Sequence, residues 1–362
     1  MLPLLGEMGK DFLGRNIAPS FHRRRGHLRT LVLYVTYRCN LRCRMCGIWS
    51  QEEISPASEL SLQELDRILD DKLFSRLEHI NLNGGEPNLR EDLVDIAALC
   101  VRKFPGLKAL TLNSNGLPPR RTIQNAERLA LLCHRNRMAF SASISLHRVG
   151  PGYDEIAGMK NAHAHVAEAL LGLSELRARI PFALSVNCVI TGANAYELSE
   201  ILGWSRQSGI PVNFALGEVR ERFFNLDNAR NIEIGKADRP AVVRFLRLLS
   251  LQKRTFRQHA LRYKKLADMI ECGKARSLAC HYALAGAILG SDGQLYYCPK
   301  SRALGNGRER KAHDIYFDPA NLRYRAESLF KEKCPHCPPY TFNLIEVEKD
   351  LLKLIGFFIW GN

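Results

Sequence analysis

The sequence predicts an α/β protein: a six-unit parallel partial barrel, then a small cysteine-rich unit and a final helix. Three observations predict it. Short β-branched or apolar runs alternate six times with stretches of helical period across residues 29–220, the pattern of successive βα units. Residues 280–340 then turn short, turn-rich and cysteine-bearing. Apolar residues at 46% and charged residues at 25% of 362 are ordinary for a folded chain, which excludes a mainly disordered or fibrous one. Eight units would close a full barrel and only six can be read, so the sheet is expected to stay open.

The elements follow in order. Residues 1–28 end in the basic run His22-Arg23-Arg24-Arg25 and read as a basic N-terminal extension. Charges stand where a signal peptide needs its apolar stretch, so a cytoplasmic location is expected. In the core domain, 29–220, strands are expected at 30–37, 78–83, 107–113, 138–146, 182–190 and 211–217. Helices are expected near 61–74, 91–104, 121–135, 160–178 and 195–208. The first of these opens with Ser61 and Glu64 at capping-box spacing.

A basic helical connection spans 221–279; within it, residues 239–276 hold 11 Lys or Arg against Asp268 and Glu271. A cysteine-bearing domain spans 280–342, with a hairpin expected around Asp292-Gly293. Residues 343–362 read as an amphipathic C-terminal helix with Leu351, Leu352, Ile355, Phe358 and Ile359 in a stripe. No apolar run nears the ~20 residues of a membrane-spanning helix. The net charge of +15 favours acidic partners such as nucleotides, phosphates or anionic headgroups. Arg244, Arg247, Arg254 and Arg257 recur at helical spacing. With the terminal stripe they suggest loose attachment to an anionic membrane surface; a solvated face and a core-packed helix is the plainer reading.

Eleven cysteines are many for a chain without an export signal. In a reducing compartment, clustered cysteines bind metal or do chemistry more often than they form disulfides. Cys39, Cys43 and Cys46 lie on the loop after the first strand. Three thiolates there can converge on one soft metal centre. A 4Fe–4S cluster normally takes four cysteines, so three leave one iron open, as a catalytic site requires. A three-cysteine zinc site is the other reading of the same residues.

This spacing resembles the radical S-adenosylmethionine (SAM) enzymes, whose CxxxCxxC signature is matched by Cys39, Cys43 and Cys46. The aromatic residue common before the third cysteine is replaced by Met45. The resemblance implies that the open iron chelates SAM. It also implies reductive cleavage to a 5′-deoxyadenosyl radical that takes a hydrogen atom from the substrate. Further strand-end motifs agree. Gly84, Gly85, Glu86 and Pro87 match the family's GGEP motif, which implies contacts to the SAM amino group. Asn113, Ser114 and Asn115 stand where a polar turn meets the cofactor. Ser145 and His147 occupy a Ser-x-Asp position on the SAM ribose, with His in place of Asp, and Asn187 ends strand five. The resemblance covers roughly residues 30–220.

Cys280, Gly293 and Cys298, followed by the CxxC pair Cys334 and Cys337, resemble the C-terminal SPASM and twitch extensions of that family. A full SPASM pattern needs about seven cysteines. The shorter twitch form implies one auxiliary 4Fe–4S cluster on these four residues, acting as electron acceptor. Cys272 could replace one ligand, and a structural zinc is the alternative. Cys100, Cys133 and Cys188 sit in apolar settings and read as core residues. No residue is singled out as a catalyst.

The expected function is therefore a radical SAM enzyme, oxidoreductase-like, acting on a small or sugar-like molecule with a flavodoxin or ferredoxin as electron donor. A peptide maturase is the alternative within the family. A zinc-bearing nucleic-acid-binding protein is the alternative outside it, but nucleic-acid binding explains neither GGEP nor the three-cysteine loop.

Overall fold

The computed structural model describes residues 27–50, 55–220, 225–252 and 257–338. Six strands alternate with helices as the periodicity predicts: β1 (Thr30–Thr36), β2 (His79–Gly84), β3 (Ala109–Ser114), β4 (Ala139–Ser145), β5 (Ala183–Ile190) and β6 (Val212–Leu216). Between them lie α1 (Leu62–Leu69), α2 (Leu93–Lys103), α3 (Pro119–Arg135), α4 (Gly152–Ala157), α5 (Ala162–Arg179) and α6 (Leu198–Ser208). All neighbouring pairs from β1 to β6 are parallel.

Helix α1 starts where expected. Ser61 Oγ accepts from the Glu64 N–H at 3.2 Å, and Glu64 Oε2 accepts from the Ser61 N–H at 2.8 Å. It stops at Leu69, short of the expected 74, because Asp71 caps a separate 3-10 turn by accepting from the Leu73 N–H at 2.8 Å.

The open barrel leaves β1 as an edge, and an unpaired edge exposes a row of backbone donors and acceptors. The C-terminal part fills that edge. Strand β7 (Gly286–Leu289) pairs parallel to β1, with Thr30 opposite Gly286, and turns through a hairpin into β8 (Gln294–Tyr296). Gly293, at φ +85°, makes that turn as the Asp-Gly pair predicts. With β9 (Gly305–Asn306), the described residues form one nine-stranded sheet, ordered β6-β5-β4-β3-β2-β1-β7-β8-β9. The hairpin expected on a separate small unit therefore continues the barrel sheet.

The two sheet faces differ in chemistry. Leu31, Leu33, Val35, Ile80, Leu82, Leu110 and Leu112 alternate onto the face covered by helices, where Leu65, Ile96, Leu129 and Leu173 join them in one core. On the other face, His79, Asn81, Thr111, Asn113, Ser141, Ser185 and Asn187 are half-buried. Asn113 donates to Asn81 at 2.7 Å and accepts from Asn187 at 3.4 Å, while Thr111 bridges His79 at 2.9 Å and Ser141 at 2.8 Å.

Beyond β6 come α7 (Ala229–Ile232), α8 (Arg239–Leu251) and α9 (Arg257–Cys272). Arg247 of the basic face is ion-paired with Asp268 at 2.8 Å and Glu271 at 2.6 Å. Arg254, the basic extension up to residue 26 and the C-terminal helix at 343–362 lie outside the described residues. Among the described residues, no helix is long and apolar enough to cross a membrane.

Candidate active site at the strand ends

The loop after β1 carries Cys39, Cys43 and Cys46 and is held from two sides. Its Arg42 and Arg44 N–H groups donate to Ala157 and Ile156 of α4, both at 2.9 Å. On the other side, the Gly85 N–H donates to Thr36 O at 2.9 Å and the Glu86 N–H to Arg38 O at 2.8 Å. A side chain on Gly85 would overlap the carbonyls of Tyr37 and Arg38. The glycine is thus required for the GGEP backbone to pass this close to the cysteine loop.

Glu86 is fully buried. Its Oε2 accepts from the Asn115 N–H at 2.6 Å. Its Oε1 accepts from the Asn88 N–H at 3.0 Å, Asn88 Nδ2 at 2.8 Å and Ser114 Oγ at 2.9 Å. Burial pushes its carboxyl up to about 7, against the downward pull of the Asn115 and Asn88 backbone donors and the Ser114 and Asn88 side chains. Both oxygens are committed to the protein's own donors, so Glu86 organises the strand ends from behind. Asn115 carries the network forward: its Nδ2 donates to Asn40 Oδ1 at 2.8 Å and lies 3.8 Å from Cys39 Sγ. Three motifs far apart in sequence become one hydrogen-bonded unit.

The three thiols sense one another. Burial pushes Cys39 up to about 12, and the nearby Glu86 and Cys46 add to it. Burial raises Cys43 further, helped by Cys46 and Cys39, and raises Cys46 as well. Such thiols stay protonated until a metal displaces the proton.

The remaining candidates divide. Asn113 and Asn187 lie on the inner sheet face. Ser114 is buried behind the rim with Asn88, which also donates to Thr122 at 3.2 Å and accepts from Asn125 at 2.9 Å. The Ser145 carbonyl accepts from Tyr153 Oη at 3.1 Å. His147 is buried; its Nδ1 accepts from the Val189 N–H at 3.1 Å, and burial lowers its pKa to about 4. It is therefore a neutral imidazole bearing its proton on Nε2.

Two contributors escaped the sequence reading. Glu59 pairs with Arg38, next to Cys39, at 2.9 Å, accepts from Thr36 Oγ1, and lies 3.6 Å from Arg90. Arg90 in turn donates to Val35 O at 2.8 Å and Leu60 O at 2.5 Å. Asn225 donates to Met45 O at 3.0 Å, inside the cysteine loop. Neither residue belongs to a local motif, so no sequence signal marked them.

Residues 33–203, which carry this geometry, match the family model described as the radical SAM superfamily. The chain carries a radical SAM domain. Among curated proteins it is 30% identical over 192 residues to the mitochondrial GTP 3′,8-cyclase of Arabidopsis thaliana, covering 52% of this chain and 46% of that one. It is 30% identical over 212 residues to the GTP 3′,8-cyclase of Erythrobacter litoralis, covering 56% and 58%. The chain thus spans about half the length of these relatives. Among solved structures, "Native anSMEcpe with bound AdoMet and Cp18Cys peptide" superposes with a TM-score of 0.55 over 90% of this chain and 98% of that one. At 17% identity, this likeness concerns the fold.

Radical SAM proteins use a 4Fe–4S cluster and SAM. The three mutually coupled thiols after β1 fit such a cluster. Among the described residues, no group of three or more His, Cys, Asp or Glu side chains gathers tightly enough for one metal ion; a four-iron cluster spreads its thiolates over several irons.

The second cysteine group also assembles in this radical SAM fold. Cys280 precedes a short helix, α10 (His281–Ala285); Cys298 follows β8; and the Cys337 N–H donates to Cys334 O at 3.2 Å. Burial pushes Cys298 up to about 11, with Cys280 and Cys334 adding to it. Burial pushes Cys337 up to about 12. Cys272 is exposed at the end of α9, and Cys100, Cys133 and Cys188 are buried core residues. Cys39 and Cys46 of the first group and Cys280 and Cys298 of the second pack against one apolar cluster of Val32, Tyr34, Tyr37, Ile48, Tyr282 and Ile288.

Proposed function

We propose that this protein is a radical SAM enzyme of oxidoreductase type, acting on a small neutral, hydroxyl- or amide-bearing substrate. The observation that supports the class is the convergence of the Cys39–Cys46 loop, GGEP and Asn115 into one bonded rim. When bound, the cluster and SAM supply one-electron cleavage of SAM and removal of a hydrogen atom from the substrate. Cys39, Cys43 and Cys46 would hold the cluster, Gly85 would bring the GGEP backbone against their loop, and Glu86 with Asn115 would fix the thiol of Cys39.

The inner sheet face supports the substrate class. Asn81, Thr111, Asn113, Ser141, Ser185 and Asn187 present amides and hydroxyls, and none of them is charged. Neutral donors and acceptors suit a polyol or an amide better than a triphosphate, whose charges call for Arg or Lys. Cys280, Cys298, Cys334 and Cys337 would hold an auxiliary 4Fe–4S cluster that supplies one-electron acceptance, which suits a net two-electron oxidation.

Anaerobic incubation with SAM and dithionite, with 5′-deoxyadenosine followed by mass spectrometry, tests this reading. A panel of sugars and amino alcohols, GTP and a cysteine-containing peptide would be compared. Stimulation by a neutral polyol is expected. Stimulation by GTP or the peptide alone would contradict the substrate class.

A further inference from the structure

We propose that Arg276, Lys300 and Arg325 form a cationic collar that raises the reduction potential of a cluster on Cys280, Cys298, Cys334 and Cys337. The inference rests on the reading that these four cysteines hold a 4Fe–4S cluster. Arg276 clamps the two cysteine-bearing segments together. Its backbone N–H donates to Pro335 O at 2.7 Å, its Nε to Leu278 O at 2.8 Å and its Nη2 to Ala279 O at 2.5 Å. Its Nη1 lies 3.4 Å from Pro338 O and 4.0 Å from Cys337 Sγ.

Arg325 is buried between the other two ligand segments. Its guanidinium stacks 4.6 Å from the ring of Tyr297, the neighbour of Cys298, and 5.3 Å from those of Tyr316 and Phe330. Its Nη2 donates to Tyr282 O and Ala283 O, both at 3.2 Å, just after Cys280. Carbonyls and aromatic faces satisfy a guanidinium's donors without cancelling its charge. Lys300, two residues after Cys298, bonds Glu218 at 2.6 Å, and Glu218 also pairs with Arg220 at 2.5 Å. The cysteines feel these charges: burial and Cys280 raise the Cys334 thiol, while Arg276, Arg325 and Lys300 pull it back. Glu218 pushes Cys337 up, opposing the collar.

A reduced cluster carries one more negative charge than an oxidised one. Fixed positive charges in a partly buried site favour the reduced form and raise the potential. The collar thus suits the second site to take electrons, not to donate them.

The test uses the 362-residue chain with Cys39, Cys43 and Cys46 changed to Ala, reconstituted anaerobically so that only the second site loads. Iron and sulfide analysis comes first, then a redox titration monitored by electron paramagnetic resonance. Arg276→Gln is expected to lower the reduction equilibrium constant about tenfold, or about 59 mV for one electron. Arg276→Lys, which keeps the charge, is expected to stay near the parent, and Glu218→Gln to shift the potential upward. Four irons bound with an unmoved potential in Arg276→Gln would overturn the collar alone. An equal drop in the Lys and Gln variants would assign the effect to lost hydrogen bonds and also overturn it. A parent site that binds zinc or no iron would overturn the underlying reading, and the collar with it.

Discussion

The backbone N–H of Asn115 donates to Glu86 Oε2 at 2.6 Å, joining the loop after β3 to the loop after β2. The same asparagine's side chain reaches Asn40 and Cys39. A buried carboxylate thereby sets the position of a thiol through one intervening residue.

Glu86→Gln turns one acceptor oxygen into a donor facing donors. Stability is expected to fall by about 1.5–3 kcal/mol, the scale of a hydrogen bond to a charged group. Urea unfolding of the two proteins measures it; an unchanged midpoint would remove Glu86 from this role.

Glu59 is the shared partner of Arg38 and Arg90. Glu59→Gln removes the carboxylate charge that holds Arg38 and Thr36, while Arg90 keeps Asp92 at 2.7 Å, a change expected to cost about 1.5–3 kcal/mol. Arg38 adjoins Cys39, so iron content at the first site should drop as well. A variant of normal stability and normal iron content would show that the pair does not hold the loop.

His147 gives the pH prediction. Its pKa falls to about 4 by burial, from the ordinary 6.5, so the unfolded chain binds more protons between those values. Stability that His147 contributes is complete above about 6.5 and drains away as pH falls toward 4. The slope approaches about 1.4 kcal/mol per pH unit. The wild-type minus His147→Gln difference in urea unfolding, taken from pH 7 to 4, should show this slope; a flat difference would mean the imidazole is not buried neutral.

Cys337→Ala is expected to stay folded, lose the second cluster and block product formation while SAM cleavage continues. Cys272→Ala, at an exposed position, should leave both intact. Circular dichroism, iron analysis and product assays on the pair decide between an electron-accepting and a purely structural site. A Cys337→Ala protein that keeps the normal product rate contradicts the acceptor role.

The sequence carried the site where its chemistry is local. Cys39, Cys43 and Cys46, and the GGEP turn, are consecutive or nearly so, and strand ends bring such turns to one rim. Their order placed the turn holding Asn115 on that rim, and the structure adds that its side chain lies 3.8 Å from Cys39 Sγ. The role of Glu59 was hidden, because its partners sit on two other segments and no short pattern links them. The pairing of β7 with β1 was hidden for a related reason. Periodicity reports which face of a strand is buried, not which edge it joins. Glu86 read as an open acceptor for an ammonium, since nothing in GGEP reveals that Asn88 and Asn115 would enclose its carboxylate.

That the loop after β1 holds the SAM-cleaving cluster is the expectation on which the others rest. It is tested most directly by 5′-deoxyadenosine formation in a Cys39→Ala, Cys43→Ala, Cys46→Ala protein under anaerobic reduction. The expected result is that 5′-deoxyadenosine formation disappears while iron remains bound at the Cys280–Cys337 group. Undiminished 5′-deoxyadenosine in that protein would contradict it.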